Sequence, residues 1–174
     1  MHEALRKAIL DGRYVPTLEP DEYFRMLEWA RGVTAREPDV RIGEHELGGT
    51  YLERWWAVPR NYHANVYVHR FLRSDRDVMH DHPWDNMTVV LEGEYLEETP
   101  HGTFHRRTGE VVFRQATDAH RVVLPEGQTP LTAFFTGPSI RDWGFHCPKG
   151  WMGWKEFTRG GDKYNAPKGC GEED

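Results

Sequence analysis

The sequence predicts a mainly β protein, a barrel or double-sheet jelly roll with helices at its N-terminal end. Three observations lead there. From Thr50 onward the chain divides into short runs rich in Val, Tyr, Phe, Trp and Thr, the side chains that fit a pleated, half-buried surface. Pro, Gly, Asn and Asp punctuate those runs, and no helical period intervenes between them. Many short strands in succession close into a barrel or stack as two sheets, since either arrangement protects the strand edges. The 174 residues suffice for one domain with a sizeable core.

Before Thr50 the period is helical. Ala4, Leu5, Ala8 and Ile9 recur at three-and-four spacing, and a second helix opens at Pro20-Asp21-Glu22 and carries Tyr23, Phe24, Met26, Leu27, Trp29 and Ala30. Residues 1–48 are therefore expected as a helical extension, a lid or brace on the barrel, and 49–158 as the barrel. Within it, strands are expected at 50–58, 65–72, 87–97, 103–107, 110–114, 119–124 and 131–136, with later pieces at 142–146 and 153–157. Residues 159–174 are rich in Gly and charge and lack apolar periodicity, which predicts a loosely ordered tail.

Composition narrows the function. Hydrophobic residues make up 38% and charged ones 29%, yet 13% aromatic content with seven Trp is too much for a disordered chain. Twenty-two basic against 28 acidic residues leave a net charge of −6, which disfavours nucleic acid and anionic membranes as partners. No apolar run approaches membrane-spanning length, and Glu3, Arg6, Lys7 and Asp11 interrupt the stretch a signal peptide would need. Cys147 and Cys170 form no CxxC pair, so neither a disulfide framework nor a cysteine zinc site is expected, and the cytoplasm is the expected location.

Ten histidines offer imidazole chemistry, and their placement matters more than their number. In extended chain His80 and His82 project from one face and could chelate a single ion. Gly93 follows after the next β run, and His120 stands eleven positions after Gly109. With these spacings the sequence resembles the cupin superfamily. His80-Asp81-His82 through Asn86 to Gly93 matches that family's first motif in spacing, and Gly109 to His120 matches its second. Gln115 and Thr117 replace the Pro and Gly of the second turn, and Asn86 stands where the family has an acidic ligand. Arg54-Trp55, Pro59-Arg60-Asn61 and Trp143-Gly144-Phe145-His146-Cys147-Pro148 also resemble small cupin-like proteins of bacteria and phages.

The resemblance implies a cupin double-stranded β-helix in which His80, His82 and His120 ligate a divalent transition metal. Asn86 or Asp85 would be the fourth ligand, or that position is vacated. Three imidazoles suit Fe(II), Mn, Ni, Cu or Zn without choosing among them, and Fe(II) is the favoured expectation. Asp81 or Asp85 could instead orient an imidazole.

Around such a site Tyr67, His69 and Phe71 share one strand face, and Val66, Val68 and Arg70 share the other. An inward His69 would offer a general base, with Tyr95 as a second proton carrier. Arg114 and Arg121 are candidates to bind an anionic substrate, and Trp84 to border the cavity mouth, stacking on a flat or sugar-like ligand. Residues 141–148 are expected to cap one end of the barrel. The first functional expectation is a non-haem Fe(II) dioxygenase or oxygenase for a small anionic molecule. Metal-assisted or metal-free isomerisation or epimerisation of a sugar or small acid is the alternative, and a non-catalytic ligand-binding cupin the third. A homodimer is expected.

Overall fold

The computed structural model describes residues 15–44, 48–159 and 169–170. Helix α1 (Pro20–Val33) leads into strands β1 (Val40–Ile42), β2 (Leu52–Trp56), β3 (Asn65–Phe71), β4 (Asn86–Glu92), β5 (Glu94–Thr99), β6 (Gly102–Arg107), β7 (Val111–Arg114), β8 (Arg121–Val123), β9 (Leu131–Thr136), β10 (Gly144–Cys147) and β11 (Gly150–Gly153), and the short α2 (Trp154–Phe157) follows. Among the described residues no helix is long and apolar enough to cross a membrane.

The strands form two layers. One sheet runs β1-β2-β3-β9-β4-β7 and another β6-β5-β8, while β10 and β11 form a third, two-stranded sheet. The second layer is widened by antiparallel bridges from His80 to His120, just before β8, and from His80 to Phe145 in β10. Two rows of four thus face each other: β3-β9-β4-β7, and the His80 segment with β8, β5 and β6. The chain winds between the rows as it goes, β3, His80, β4, β5, which is the wrapping of a jelly roll.

Strand alternation divides the first sheet into two faces. Val68, Val89, Leu91, Leu131 and Ala133 point outward and pack with Leu27 and Ala30 of α1 and with Trp55. Tyr67, His69 and Phe71 point inward, into the space between the layers. Helix α1 begins with Pro20, carries Asp21 and Glu22 in its first turn and Arg31 in its last, all favourable to its dipole. The Tyr23 hydroxyl donates to the Leu91 carbonyl at 2.8 Å, and Arg31 reaches Glu92 at 2.7 Å. The helix is a brace on the outer face of the sheet, remote from the cavity.

Several expectations need correction. The run expected as one strand over 87–97 is two, β4 and β5, divided at Gly93, whose φ is +70°. A Cβ there would lie 3.3 Å from Pro130 Cα, so this corner between layers needs glycine on both counts. Residues 154–157, expected as strand, turn helical, and β1 had no strand expectation. Cys147 and Cys170 form a disulfide, against the expectation of none. The local sequence lacks a pairing signal because the partners are 23 residues apart and meet around the Phe145–Phe157 cluster. The bond also removes one ground for expecting a cytoplasmic location. The helix expected around Ala4 to Ile9 lies outside the described residues.

Candidate metal centre

The cavity between the layers measures about 550 Å³. His80, His82 and His120 meet in its wall, each offering a ring nitrogen, with all three nitrogens within 4.8 Å of one another. Backbone pairing brings them together: His80 and His120 exchange both amide hydrogen bonds, at 2.9 and 3.0 Å, and the His82 amide donates to the Ala116 carbonyl at 3.1 Å. Nε2 of His82 lies 2.9 Å from Nε2 of His120. Two neighbouring ligands at right angles on an ion with bonds of about 2.1 Å stand about 3 Å apart, so this spacing suits a shared ion.

Two carboxylates, Glu97 buried and Asp75 half-buried, lie beside the outer nitrogens. Glu97 lies 3.0 Å from His120 Nδ1, and Asp75 lies 3.1 Å from His80 Nδ1. An ionised carboxylate only accepts, so beside Glu97 the His120 Nδ1 carries the proton and its Nε2 keeps its lone pair for the cluster. Glu97 also accepts from Arg106 at 2.7 Å and Arg114 at 2.5 Å. Burial alone would raise its pKa, but Arg114, His120 and Arg106 outweigh burial and hold it well below the usual carboxylate range. Burial lowers His82 well below the ordinary imidazole value, with His120 adding to the shift. Burial, then Arg114, brings His120 to about 4. His82 and His120 are therefore neutral at pH 7, as metal ligation requires. A cluster of three imidazoles, His120 buried and His80 and His82 half-buried, with carboxylates beside two of them, fits a divalent transition metal.

The other candidate residues are placed as follows. Asp85 accepts the Ala116 amide at 2.8 Å, and Asn86 lies 3.4 Å from Arg114 Nη1; neither lines the cavity or joins the cluster. Trp84 stacks on His82 with centroids 5.0 Å apart and lines the cavity. His69 lines it too, but its Nε2 accepts from Arg54 Nε at 2.8 Å, and burial with Arg54 lowers its pKa well below normal. Tyr95 lines the cavity, 3.5 Å from Arg114 Nη2, and burial raises its pKa. Arg114 reaches the cavity while held by Glu97 and, at 2.8 Å, Thr88. Arg121 does not line it: the side chain pairs with Glu98 at 2.6 Å and with Asp77 on the outside. Asp81, between the two first histidines, points away and receives Gly144 N–H and Trp151 Nε1–H, both at 2.8 Å, and Arg141 at 3.0 Å.

Sequence reasoning missed Glu97, Asp75 and Arg54. Glu97 was detectable, since it alternates with Tyr95 on one strand face. Arg54 is fixed by its register opposite His69, which requires knowing the strand pairing. Asp75 sits in a loop with no period to mark it.

Comparison with protein-family models, and separately with curated proteins, finds no match to the sequence. Solved structures do resemble the fold. A protein with a double-stranded β-helix domain from Klebsiella pneumoniae is 13% identical, over 67% of this chain and 92% of its own, with a TM-score of 0.48. An RmlC-like cupin from Shewanella frigidimarina is 18% identical, over 62% and 86%, with a TM-score of 0.47. A cupin domain from Bordetella pertussis is 20% identical, over 49% and 92%, with a TM-score of 0.41. With two facing rows of strands and three histidines meeting in the cavity, the fold of this chain is a two-layered antiparallel jelly roll, similar to these cupin and double-stranded β-helix structures.

Proposed function

We propose that the chain is a metal-dependent cupin acting on a small anionic molecule, in the first instance a non-haem Fe(II) dioxygenase or oxygenase. One observation carries the reading: the three histidines bring a ring nitrogen each within 4.8 Å of one another, with His120 oriented by the buried Glu97. These three residues would hold the ion. A divalent metal there supplies Lewis acidity toward an oxygen-bearing ligand and, as Fe(II), electrons for O₂.

The rest of the cavity supports an anion. Arg54, Arg60, Arg73, Arg76 and Arg114 line it, and among the described lining residues Asp75 is the one carboxylate, so the interior is cationic in a chain of net charge −6. Tyr95 keeps its proton and can donate to a bound oxygen. Trp84 shields the His82 side from water.

Anaerobic reconstitution of the full chain with Fe(II), followed by oxygen uptake with thiol, diketone and catechol substrates, tests the proposal. Metal-dependent uptake with one class is expected; none with any class overturns the oxygenase reading. His69 and Tyr95 both reaching the cavity, with the Phe71 ring between them at 6.2 and 6.1 Å, favours isomerisation or epimerisation as a second reading. Solvent-deuterium incorporation by metal-free protein would support it. Tight zinc with no exchangeable position would instead favour the binding-only cupin.

A further inference from the structure

We infer that the protein has a second ligand site, for a small oxyanion bearing a carboxylate or phosphate group, in a cavity of about 460 Å³ lined from β5, β6 and β7. The observation behind it is a buried excess of positive charge. Glu97 is 1% exposed, and the two guanidiniums that donate to it belong to Arg106 and Arg114, 7% and 6% exposed. One carboxylate thus faces two permanent cations, and a proton on neighbouring His120 would only add to the excess. Net charge withdrawn from water is costly unless a counter-charge reaches it.

The two arginines differ in what they have left to give. Arg114 places Nε on Glu97, Nη1 on Thr88 at 2.8 Å and Nη2 against the Tyr95 oxygen at 3.5 Å. Arg106 gives Nε to Glu97 at 2.7 Å, and its two terminal amino groups have no partner among the described residues. Phe104 lines the cavity with Arg106, its ring centroid 5.0 Å from the guanidinium carbon. A bond at Nε and a ring against the face hold the group in one plane, so its free edge is a preset fork for two oxygens. Gln115 and Thr117, where the cupin resemblance expects Pro and Gly, line the same cavity and bring an amide and a hydroxyl that donate to oxygen. Asp118 lines it too, half-exposed and so solvated, with Oδ2 accepting the Gln115 amide at 2.8 Å; it lies outside the buried charge cluster. Arg114 and His120 border both this cavity and the larger one, whereas Arg106 and Glu97 border this one alone.

Calorimetric titration of the metal-free full chain with acetate and with inorganic phosphate, joined to a map of backbone amide NMR shifts, tests the site. At least one probe is expected to bind at one equivalent, with shifts centred on residues 99–106 and 115–118. Tighter acetate assigns the site to carboxylates and tighter phosphate to phosphates. Arg106→Gln is expected to weaken binding about tenfold. No binding of either probe, shifts centred instead on 65–71 and 132–136 in the larger cavity, or unchanged affinity in Arg106→Gln would overturn the assignment. If Arg106→Gln does not fold, the shift map of the unaltered protein decides alone.

Discussion

Glu97 shows how much one side chain organises. Three cationic or donor groups, His120, Arg106 and Arg114, converge on its carboxylate, and burial makes every one of those contacts strong. Glu97→Gln would leave two buried guanidiniums without their counter-charge and would let His120 choose its tautomer. Zinc affinity, measured by competition with a chromophoric chelator, is expected to fall between about tenfold and a hundredfold. Loss of one partner of a buried charge pair should also destabilise the fold by about 3 to 5 kcal/mol in urea unfolding. Asp75→Asn is expected to weaken zinc similarly through His80, with a smaller loss of stability because it holds fewer cations. At this scale the sequence was readable where two-residue periodicity could speak: His80 and His82, and Tyr67, His69 and Phe71, each share a face as alternation requires. It was unreadable where orientation came from a loop or a cross-strand partner. Hence Asp75 went unseen, and Arg121, a plausible anion binder by type, turned out to bond Glu98 and Asp77 outside.

The β10–β11 hairpin is the element most dependent on a single residue. Asp81 gathers the Gly144 amide, the Trp151 indole and Arg141, while Arg141 also donates to the carbonyls of His82 and Ala116 at 3.2 Å. This carboxylate fastens the hairpin to the strand that bears the histidines. Asp81→Ala leaves the buried Gly144 amide and the part-buried Trp151 indole contact without their acceptor and removes an ion pair from Arg141, which should destabilise by about 2 kcal/mol. Hydrogen exchange is expected to accelerate over 144–153 first; uniform acceleration would contradict a local role. The hairpin also needs glycine at 144, where a Cβ would sit 2.2 Å from the Met152 carbonyl. Gly144→Ala should therefore lower the unfolding temperature while α1 exchange, on the far face, stays as it was. The density of aromatic and polar side chains in 141–148 marked this region as a cap. Its anchor was harder to see, because Asp81 resembles a metal-motif residue in sequence and serves the hairpin in space.

For the molecule as a whole, strand alternation and turn residues made the two-layer architecture legible, and the corner at Gly93 was hidden because both flanking runs share one β pattern. The Cys147–Cys170 bond was hidden for the opposite reason, since nothing local connects residues so far apart. Closing a loop of that length should contribute about 3 kcal/mol. Thermal unfolding with and without reductant is expected to differ accordingly, and Cys147→Ser should match the reduced protein. Light scattering at twice 20.4 kDa would register the homodimer that the sequence predicts. The paired amides of His80 and His120 have one more consequence. Residues forty apart in the chain are neighbours only while that rung of the ladder is intact, so a cation gripping both rings is a removable staple across the fold. Adding zinc at a hundred times its dissociation constant should raise the free energy of unfolding by about 2.7 kcal/mol, and a chelator should reverse the gain.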